Sequence, residues 1–231
     1  MQSMTAILML DIVAKGLGQL VDRIVFVGGA TMALYVDDPA SSDPRPTEDV
    51  DCVVEMTSIQ TFYALEEELR TLGFKNQLGS GMPICRWTYQ GITVDVMPTD
   101  KKILGFTNSW YAPGIQDAQK VKLPSGLEVK IFTLAYFVAS KFEAFLDRGG
   151  GDLRFSSDFE DIIFVLDSSL TAEEKLRKAP QDVRTYLTET YRKLAKNFDF
   201  NEAVAAHIGD PKSKQSRARR VTQIFQNIER Q

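Results

Sequence analysis

Apolar residues recur with two different spacings in the two halves of this chain. Up to about residue 131, short apolar runs rich in β-branched residues alternate with segments of helical spacing. Helices are predicted over Thr5–Leu20 and Ser58–Leu72, with Ser58 as the N-cap of the second. The predicted strands are Arg23–Val27, Asp49–Met56, and two hairpins formed by Pro83–Tyr89 with Ile92–Met97 and by Lys120–Leu123 with Leu127–Ile131.

From residue 132 onward, only helical patterns follow. The predicted helices are Thr133–Asp147, Ser157–Leu166 with Ser157 as its cap, Thr171–Lys178, Gln181–Asn197, Asn201–Ile208 and Ser213–Arg230. We therefore expect an α+β protein. A mixed sheet flanked by helices would occupy residues 1–131, and an all-helical domain would occupy residues 132–231.

Composition narrows the class of protein. The chain has 231 residues, of which 44% are hydrophobic and 25% charged, as is typical of a globular protein with a real core. No apolar run approaches the roughly 20 residues that span a bilayer, and Ala6–Leu10 lacks the basic residue that precedes a signal sequence. Two cysteines exclude a cysteine-rich zinc site. We expect a cytoplasmic protein without a membrane partner.

Charge and histidine content restrict the chemistry further. A net charge of −4 argues against nucleic acid binding over the whole surface but allows a local basic patch. The single histidine, His207, excludes a multi-histidine metal site, and its setting is typical of a helix surface. The chemistry must therefore depend on carboxylates, lysine, arginine, or a metal with oxygen ligands.

Three aspartates are candidates for such a metal site. Asp49 and Asp51 alternate on a predicted strand, so they share one face with Thr47. Asp95 lies among apolar residues of another predicted strand. Solvated acids at a strand end, or at a sheet edge for Asp95, are the structural alternative. If the two strands are neighbours, the three carboxylates converge as a two-metal phosphoryl-transfer site requires.

Two ordered motifs carry a resemblance. Gly28 and Gly29 stand between a predicted strand and a short helical segment, a setting that can receive phosphate oxygens. Together with Arg45-x-Thr47-x-Asp49-Val-Asp51 and Asp95, this turn resembles the polymerase-β-type nucleotidyltransferases. A second motif, Lys141-x-x-Ala144-x-x-x-Arg148 and then Asp158-x-x-Asp161-Ile162, is similar to the AbiEii/AbiGii-type group. That group comprises toxins of bacterial toxin–antitoxin and abortive-infection systems.

The resemblance spans about residues 25–166 and implies a polymerase-β-like nucleotidyltransferase domain. It implies that Asp49, Asp51 and Asp95 bind Mg²⁺ or Mn²⁺, that Asp95 also takes a proton, and that Lys141 reaches the triphosphate. The implied nucleotide-binding residues are Gly28, Gly29, Thr31, Arg45, Thr47, Arg148 and Asp158. Two departures stand out: Gly29 replaces a frequent serine, with Thr31 as the nearby hydroxyl, and Ser157 replaces a usual lysine.

Two further segments each allow two interpretations. The aromatic stretch Phe106–Tyr111 could stack on a base or pack in the interior. The C-terminal basic residues could seat an RNA backbone or belong to an ordinary charged helix end. They are Lys212, Lys214, Arg217, Arg219, Arg220 and Arg230, against only Asp210 and Glu229.

The sequence therefore predicts a metal-dependent enzyme that transfers a nucleoside monophosphate from an NTP to an acceptor hydroxyl. The resemblance favours RNA as the acceptor, in particular the 3′ end of a tRNA, and implies a cognate antitoxin protein as a partner. Nucleotidylation of a protein or a small molecule is the alternative for the acceptor. A non-catalytic nucleotide-binding module is a further alternative, against which three acids and Lys141 together argue.

Overall fold

A computed structural model describes residues 4–56, 58–77, 79, 83–148 and 152–229 of the chain. Two compact units are present: Met1–Ala33 with Arg45–Thr133, and Leu34–Pro44 with Leu134–Gln231. No helix among the described residues is long and apolar enough to cross a membrane.

The first unit is built on a seven-stranded sheet, which is mixed as predicted and has one strand more than the six predicted. Its strands are β1 (Ile24–Val27), β2 (Asp49–Val54), β3 (Lys75–Asn76), β4 (Arg86–Tyr89), β5 (Ile92–Pro98), β6 (Gln119–Lys122) and β7 (Glu128–Ile131). The order across the sheet is β3-β4-β5-β2-β1-β7-β6. β2 is parallel to β5 and antiparallel to β1, β1 is parallel to β7, and the remaining pairs are antiparallel. β2 and β5 therefore lie next to each other inside the sheet.

Helices accompany this sheet. They are α1 (Ala6–Leu17), α2 (Ile59–Thr71), α3 (Lys101–Leu104) and α4 (Tyr111–Gln116), with 3₁₀ turns at Gly18–Arg23 and Gly29–Tyr35. The Ser58 hydroxyl accepts from the backbone N–H of Thr61, so Ser58 is the N-cap of α2 as predicted. The predicted helix Thr5–Leu20 ends earlier, because Gly18 adopts a φ of 53° and the chain continues as a 3₁₀ turn.

Three short elements escaped sequence analysis for a physical reason. β3 has two residues and α3 has four, so neither is long enough to show a period. α4 contains Pro113 and Gly114, which are poor helix formers. Gly114 is accommodated because it lies against the ring of Phe132, where a Cβ would come within 2.8 Å of a ring carbon.

The second unit is helical in its regular structure, as predicted. It comprises α5 (Leu134–Asp147), α6 (Ser157–Ser168), α7 (Ala172–Arg177), α8 (Gln181–Leu194), α9 (Phe200–Ala206) and α10 (Lys214–Glu229). The expectation that Ser157 caps α6 is wrong. The Ser156 hydroxyl accepts from the backbone N–H of Phe159, which places Ser157 inside the first turn.

Aromatic side chains from several of these helices form the core of the second unit. Phe159 of α6 contacts Phe145 of α5 and Phe200 of α9, with ring centroids 6.0 Å apart in both pairs. Tyr191 of α8 stacks on Phe225 of α10 at 5.2 Å. His207 also belongs to this core, since its ring meets Phe159 and its Nε2 lies 2.8 Å from the Leu153 carbonyl oxygen.

Residues 34–44 belong to the second unit and are anchored there by Asp37. Its carboxylate accepts from the Thr171 hydroxyl at 2.6 Å, the Leu170 N–H at 2.5 Å and the Ser169 hydroxyl at 3.0 Å, and Lys175 Nζ lies 3.2 Å away. Burial acts to raise the pKa of Asp37, but these hydrogen bonds outweigh it and lower the pKa to about 2. The ionised carboxylate therefore stabilises the fold.

Asp37→Asn is expected to lower the free energy of unfolding by about 1 kcal/mol near neutral pH, after allowance for solvent screening. A lowered folded-state pKa means that the contribution is complete above about pH 4 and disappears as the pH falls through about 2. Urea unfolding at a series of pH values measures the difference, with Asp43→Asn in the same segment as control. A difference that stayed constant down to pH 2 would contradict the assignment.

Candidate active site

Three carboxylates meet on one face of the central strands. Asp49 and Asp51 alternate on β2, and Asp95 lies directly opposite Asp51 on the parallel strand β5. One carboxylate oxygen of each residue lies within 4.8 Å of the others. Hard divalent cations such as Mg²⁺ prefer oxygen ligands, and carboxylates at this spacing can share them. The donor set therefore fits a divalent cation.

Gly28 determines where Asp51 can lie. It directly follows Val27, which is the partner of Asp51 in the β1–β2 ladder. Its φ of 69° is a left-handed conformation that glycine adopts without strain. A Cβ on Gly28 would overlap the Asp51 carboxylate. The turn that we assigned to phosphate binding thus also makes room for one of the three acids.

The other predicted residues of the first motif lie around this turn. Thr47 donates a hydrogen bond from its hydroxyl to Asp49 Oδ1 at 2.9 Å. A Cβ on Gly29 would lie 3.3 Å from the Thr47 hydroxyl oxygen and 3.6 Å from Nη2 of Arg45. The structure therefore brings a guanidinium group and the backbone of the glycine turn together beside the acids.

Thr31 has a different setting from the one that nucleotide binding suggested. Its side chain is buried, and its hydroxyl donates to the Gly28 carbonyl oxygen at 2.9 Å. The backbone N–H of Thr31 also donates to that oxygen, at 3.2 Å. In this structure Thr31 stabilises the glycine turn through these two hydrogen bonds to Gly28.

Arg86 is a residue of the site that sequence analysis missed. It lies on β4 directly opposite Asp95, and its Nε and Nη2 donate to the two Asp95 carboxylate oxygens at 2.9 and 2.7 Å. These hydrogen bonds raise the pKa of Arg86 above its usual value. This pair of hydrogen bonds, which we call the Arg86 fork, holds Asp95 in one orientation. It also places a permanent positive charge beside the acid cluster.

A signal for Arg86 was present in the sequence. The turn Gln90-Gly91 has φ values of 48° and 82°, as a two-residue hairpin turn requires. Such a turn fixes the register of both strands, so it pairs Tyr89 with Ile92 and, three residues further along each strand, Arg86 with Asp95.

The two cysteines near the acids are not nucleophiles. Burial raises the pKa of the Cys52 thiol well above its usual value, and the charges of Asp51 and Asp95 act in the same direction. Burial, followed by the Asp95 charge, raises the pKa of the Cys85 thiol to about 11. Since the thiolate is the reactive form, neither side chain can act as a nucleophile at neutral pH.

The residues of the second motif come together within the second unit. Lys141 Nζ lies 3.1 Å from Asp158 Oδ1 and 2.7 Å from Asp161 Oδ2, and Arg148 Nη1 lies 2.7 Å from Asp158 Oδ2. Lys141 belongs to α5, Arg148 directly follows the last residue of that helix, and both acids belong to α6, so the motif joins α5 and its C-terminal end to α6. Asp161, to which we had assigned no nucleotide contact, is fully buried. Ser157, at the position of the usual lysine, is exposed.

In the aromatic stretch Phe106–Tyr111, Tyr111 packs against its neighbours and Phe106 is exposed. Tyr111 packs, because its hydroxyl lies 3.6 Å from Met97 Sδ and its ring centroid lies 6.2 Å from that of Phe132. Phe106, in contrast, is 53% exposed. Packing thus explains Tyr111, and stacking on a base remains a prediction for Phe106.

Gly28→Ala is expected to cost about 3 kcal/mol of unfolding free energy or more, since it adds overlap with Asp51 to the strain of a left-handed φ. Gly91→Ala is the matched control, because its φ of 82° carries the same strain while a Cβ there meets open space. That variant should lose only about 1 kcal/mol. Equal losses of unfolding free energy in urea would show that overlap with Asp51 does not contribute to the cost at Gly28.

Arg86→Ala is expected to cost about 2 kcal/mol, because Asp95 is only 8% exposed and loses both hydrogen bonds of the fork. Arg86→Lys should recover part of this loss, since it keeps the charge but not the fork. A double-mutant cycle with Asp95→Ala, measured by urea unfolding, should give a coupling energy of about 1–3 kcal/mol. Additive losses would mean that the two side chains do not stabilise each other.

Comparison with known proteins places this chain in a family. A family model described as the nucleotidyl transferase AbiEii toxin of type IV toxin–antitoxin systems matches residues 12–229. No curated protein matches the chain.

Two solved structures from Helicobacter pylori are similar over almost their whole length. The crystal structure of JHP933 has a TM-score of 0.50 at 13% identity, covering 100% of this chain and 94% of that one. A second, described as a candidate nucleotidyltransferase, has a TM-score of 0.48 at 12% identity, covering 99% and 96%. The likeness to JHP933 is one of fold alone. Because the family model spans nearly the entire chain, the protein belongs to the nucleotidyl transferase AbiEii toxin family.

Proposed function

We propose that this protein transfers a nucleoside monophosphate from an NTP to a hydroxyl group of RNA, with the 3′ end of a tRNA as the acceptor and Mg²⁺ or Mn²⁺ as the metal. The observation that carries the proposal is the cluster of Asp49, Asp51 and Asp95, whose oxygens lie within 4.8 Å of one another. Family membership supports nucleotidyl transfer and a toxin role. The identity of the acceptor and the metal are our inference.

The three aspartates would hold the metal ions. When bound, divalent cations at such a site neutralise the triphosphate and lower the pKa of the attacking hydroxyl. A binding module would have no need to place three like charges together, because each loses hydration and repels the others. The cluster therefore favours catalysis over simple nucleotide binding.

The residues around the acids would position the substrates. The backbone of Gly28 and Gly29 and the guanidinium group of Arg45 would contact the triphosphate. Thr47 holds Asp49 by its hydrogen bond, and Arg86 holds Asp95. Most of the acceleration would then come from alignment and charge neutralisation.

The reaction forms one bond and breaks another at the α-phosphorus. The acceptor oxygen bonds to this phosphorus while the bond to the β-phosphate oxygen breaks, and pyrophosphate leaves with the electron pair. Asp95 would accept the proton of the acceptor hydroxyl. Each Asp95 oxygen accepts one hydrogen bond from Arg86, and a carboxylate has about four acceptor positions, so the fork leaves room for this proton.

The second motif contributes through the second unit. We propose that Lys141 and Arg148 contact the nucleotide phosphates and that Asp158 fixes both cations by ion pairing. Asp161 adds a second fixed contact to Lys141 at 2.7 Å. A cation held in this way needs little reorganisation when an anion binds.

Asp49→Ala and Asp51→Ala are each expected to abolish transfer of labelled NMP, because each removes a proposed metal ligand, while leaving the melting temperature close to that of the wild type. Asp22→Ala, which removes an exposed aspartate of the first unit, should keep full activity. Transfer that survived both substitutions in the cluster would refute the metal-site assignment.

The acceptor can be identified with the same label. The protein is incubated with each labelled NTP and a cell lysate, and the product is treated with nuclease or with protease. Label released only by nuclease supports RNA, whereas label released only by protease supports protein nucleotidylation.

Toxicity on expression that a neighbouring gene relieves would support a cognate antitoxin.

A further inference from the structure

A polar groove runs between α9 and α10 in the second unit, and the proposed chemistry does not use it. Two cavities of about 410 and 500 Å³ lie along these helices, and both are lined by Asn201 and Gln215. Because they share these two residues, the cavities adjoin, and we call the two together the α9–α10 groove.

Amide and basic side chains make up most of the lining of this groove, which also includes Glu202 and three alanines. From α10 it receives residues at helical spacing on one stripe: Gln215, Arg219, Thr222, Gln223 and Gln226. Asn201 faces them from α9, and Lys214 lines the end nearer Arg154. Amide groups both donate and accept hydrogen bonds, so this wall can pair with groups of either kind. Its composition differs from the apolar centre of a protein interface.

The basic residues of α10 fall into two sets. Arg217 lies 2.9 Å from an Asp167 oxygen and 3.4 Å from an Asp38 oxygen, and Arg220 lies 3.2 Å from Asp167. These two arginines therefore form ion pairs within the second unit. Lys214 and Arg219 point into the groove and form no ion pair with the part of the chain that the structure describes. Arg230, the last of the basic residues considered above, lies outside that part.

Two exposed phenylalanines are chain neighbours of Arg154, which lines one end of the groove, and of Asp199, which pairs with it. Phe155 is 87% exposed and Phe198 is 96% exposed. Arg154 Nη2 pairs with Glu202 at 2.8 Å and with Asp199 at 3.7 Å, which draws together the two loops that carry the rings. Aromatic rings that are exposed to this extent are available to stack on bases.

We propose that the α9–α10 groove binds a single-stranded polynucleotide. A basic groove that follows phosphates, combined with aromatic rings on which bases stack, is the usual arrangement for single-stranded nucleic acids. Lys214 and Arg219 contact phosphates, Phe155 and Phe198 stack on bases, and the amides of α10 meet base edges. The role of this strand as the acceptor rests on the proposed function, but its binding does not.

The test is fluorescence anisotropy of a short labelled RNA strand with the full chain, without NTP or divalent metal. Wild type is expected to bind the single strand more tightly than the corresponding duplex, and a DNA strand of the same sequence separates RNA from DNA binding. Phe155→Ala with Phe198→Ala should weaken binding about tenfold or more, since each stacked base contributes measurably.

Lys214→Ala with Arg219→Ala should change the salt dependence. Two lost phosphate contacts lower the slope of log affinity against log salt by about 1.4, because each contact to a single strand contributes about 0.7. The matched controls are Lys75→Ala with Lys122→Ala for charge and Tyr63→Ala for an exposed ring, all on the first unit. The controls should bind as the wild type does, and melting curves verify that every variant folds.

Three outcomes would overturn the proposal: no binding by the wild type, equal losses in groove and control variants, or a protein that co-purifies with the wild type but not with groove variants while strand affinity is unchanged. Asp49→Ala separates the two proposals. If it binds the strand normally, the groove acts independently of catalysis. A strand that binds but never accepts label leaves the groove intact and refutes that strand as the acceptor.

Discussion

The candidate active site of the first unit depends on keeping three like charges together. At an effective dielectric constant of about 20, two carboxylates separated by 4.8 Å repel each other by about 3 kcal/mol. Three features make the arrangement tolerable: the Arg86 fork on Asp95, the Thr47 hydrogen bond to Asp49, and the absence of a Cβ at Gly28 beside Asp51. A divalent cation would relieve the remaining repulsion. Such a strained cluster is expected where chemistry is done.

Charges in the second unit are used in two ways. Lys141 and Arg148 with Asp158 and Asp161, and Arg217 and Arg220 with Asp167, form pairs in which the acids are largely buried. These pairs hold α6 to its neighbours, since removing the cations would leave the buried acids without compensation. Lys214 is half-buried, Arg219 is exposed, and both line a groove. The same helix, α10, thus carries basic residues that hold the fold and basic residues that are available to a ligand.

Much of the fold follows from local rules, and the errors have local causes. The helix cap at Ser58 and the hairpin turn at Gln90-Gly91 follow from residue preferences that hold in almost any context. The cap of α6 was placed one residue late because Ser156 and Ser157 are equally good caps, and only the first satisfies the N–H of Phe159. α4 was missed because tertiary packing of Gly114 on Phe132 overrides poor helix propensity.

The sequence by itself determined the strand and helix pattern, the alternation that sets Asp49 and Asp51 on one face, and the turn that aligns Arg86 with Asp95. These depend on periods of two and 3.6 residues and on turn chemistry, which are short-range properties. Only the tertiary structure decided that β5 lies beside β2 in the register that brings Asp95 opposite Asp51. Likewise, only packing decided which basic residues of α10 are paired, because their acidic partners, Asp38 and Asp167, are distant in the chain.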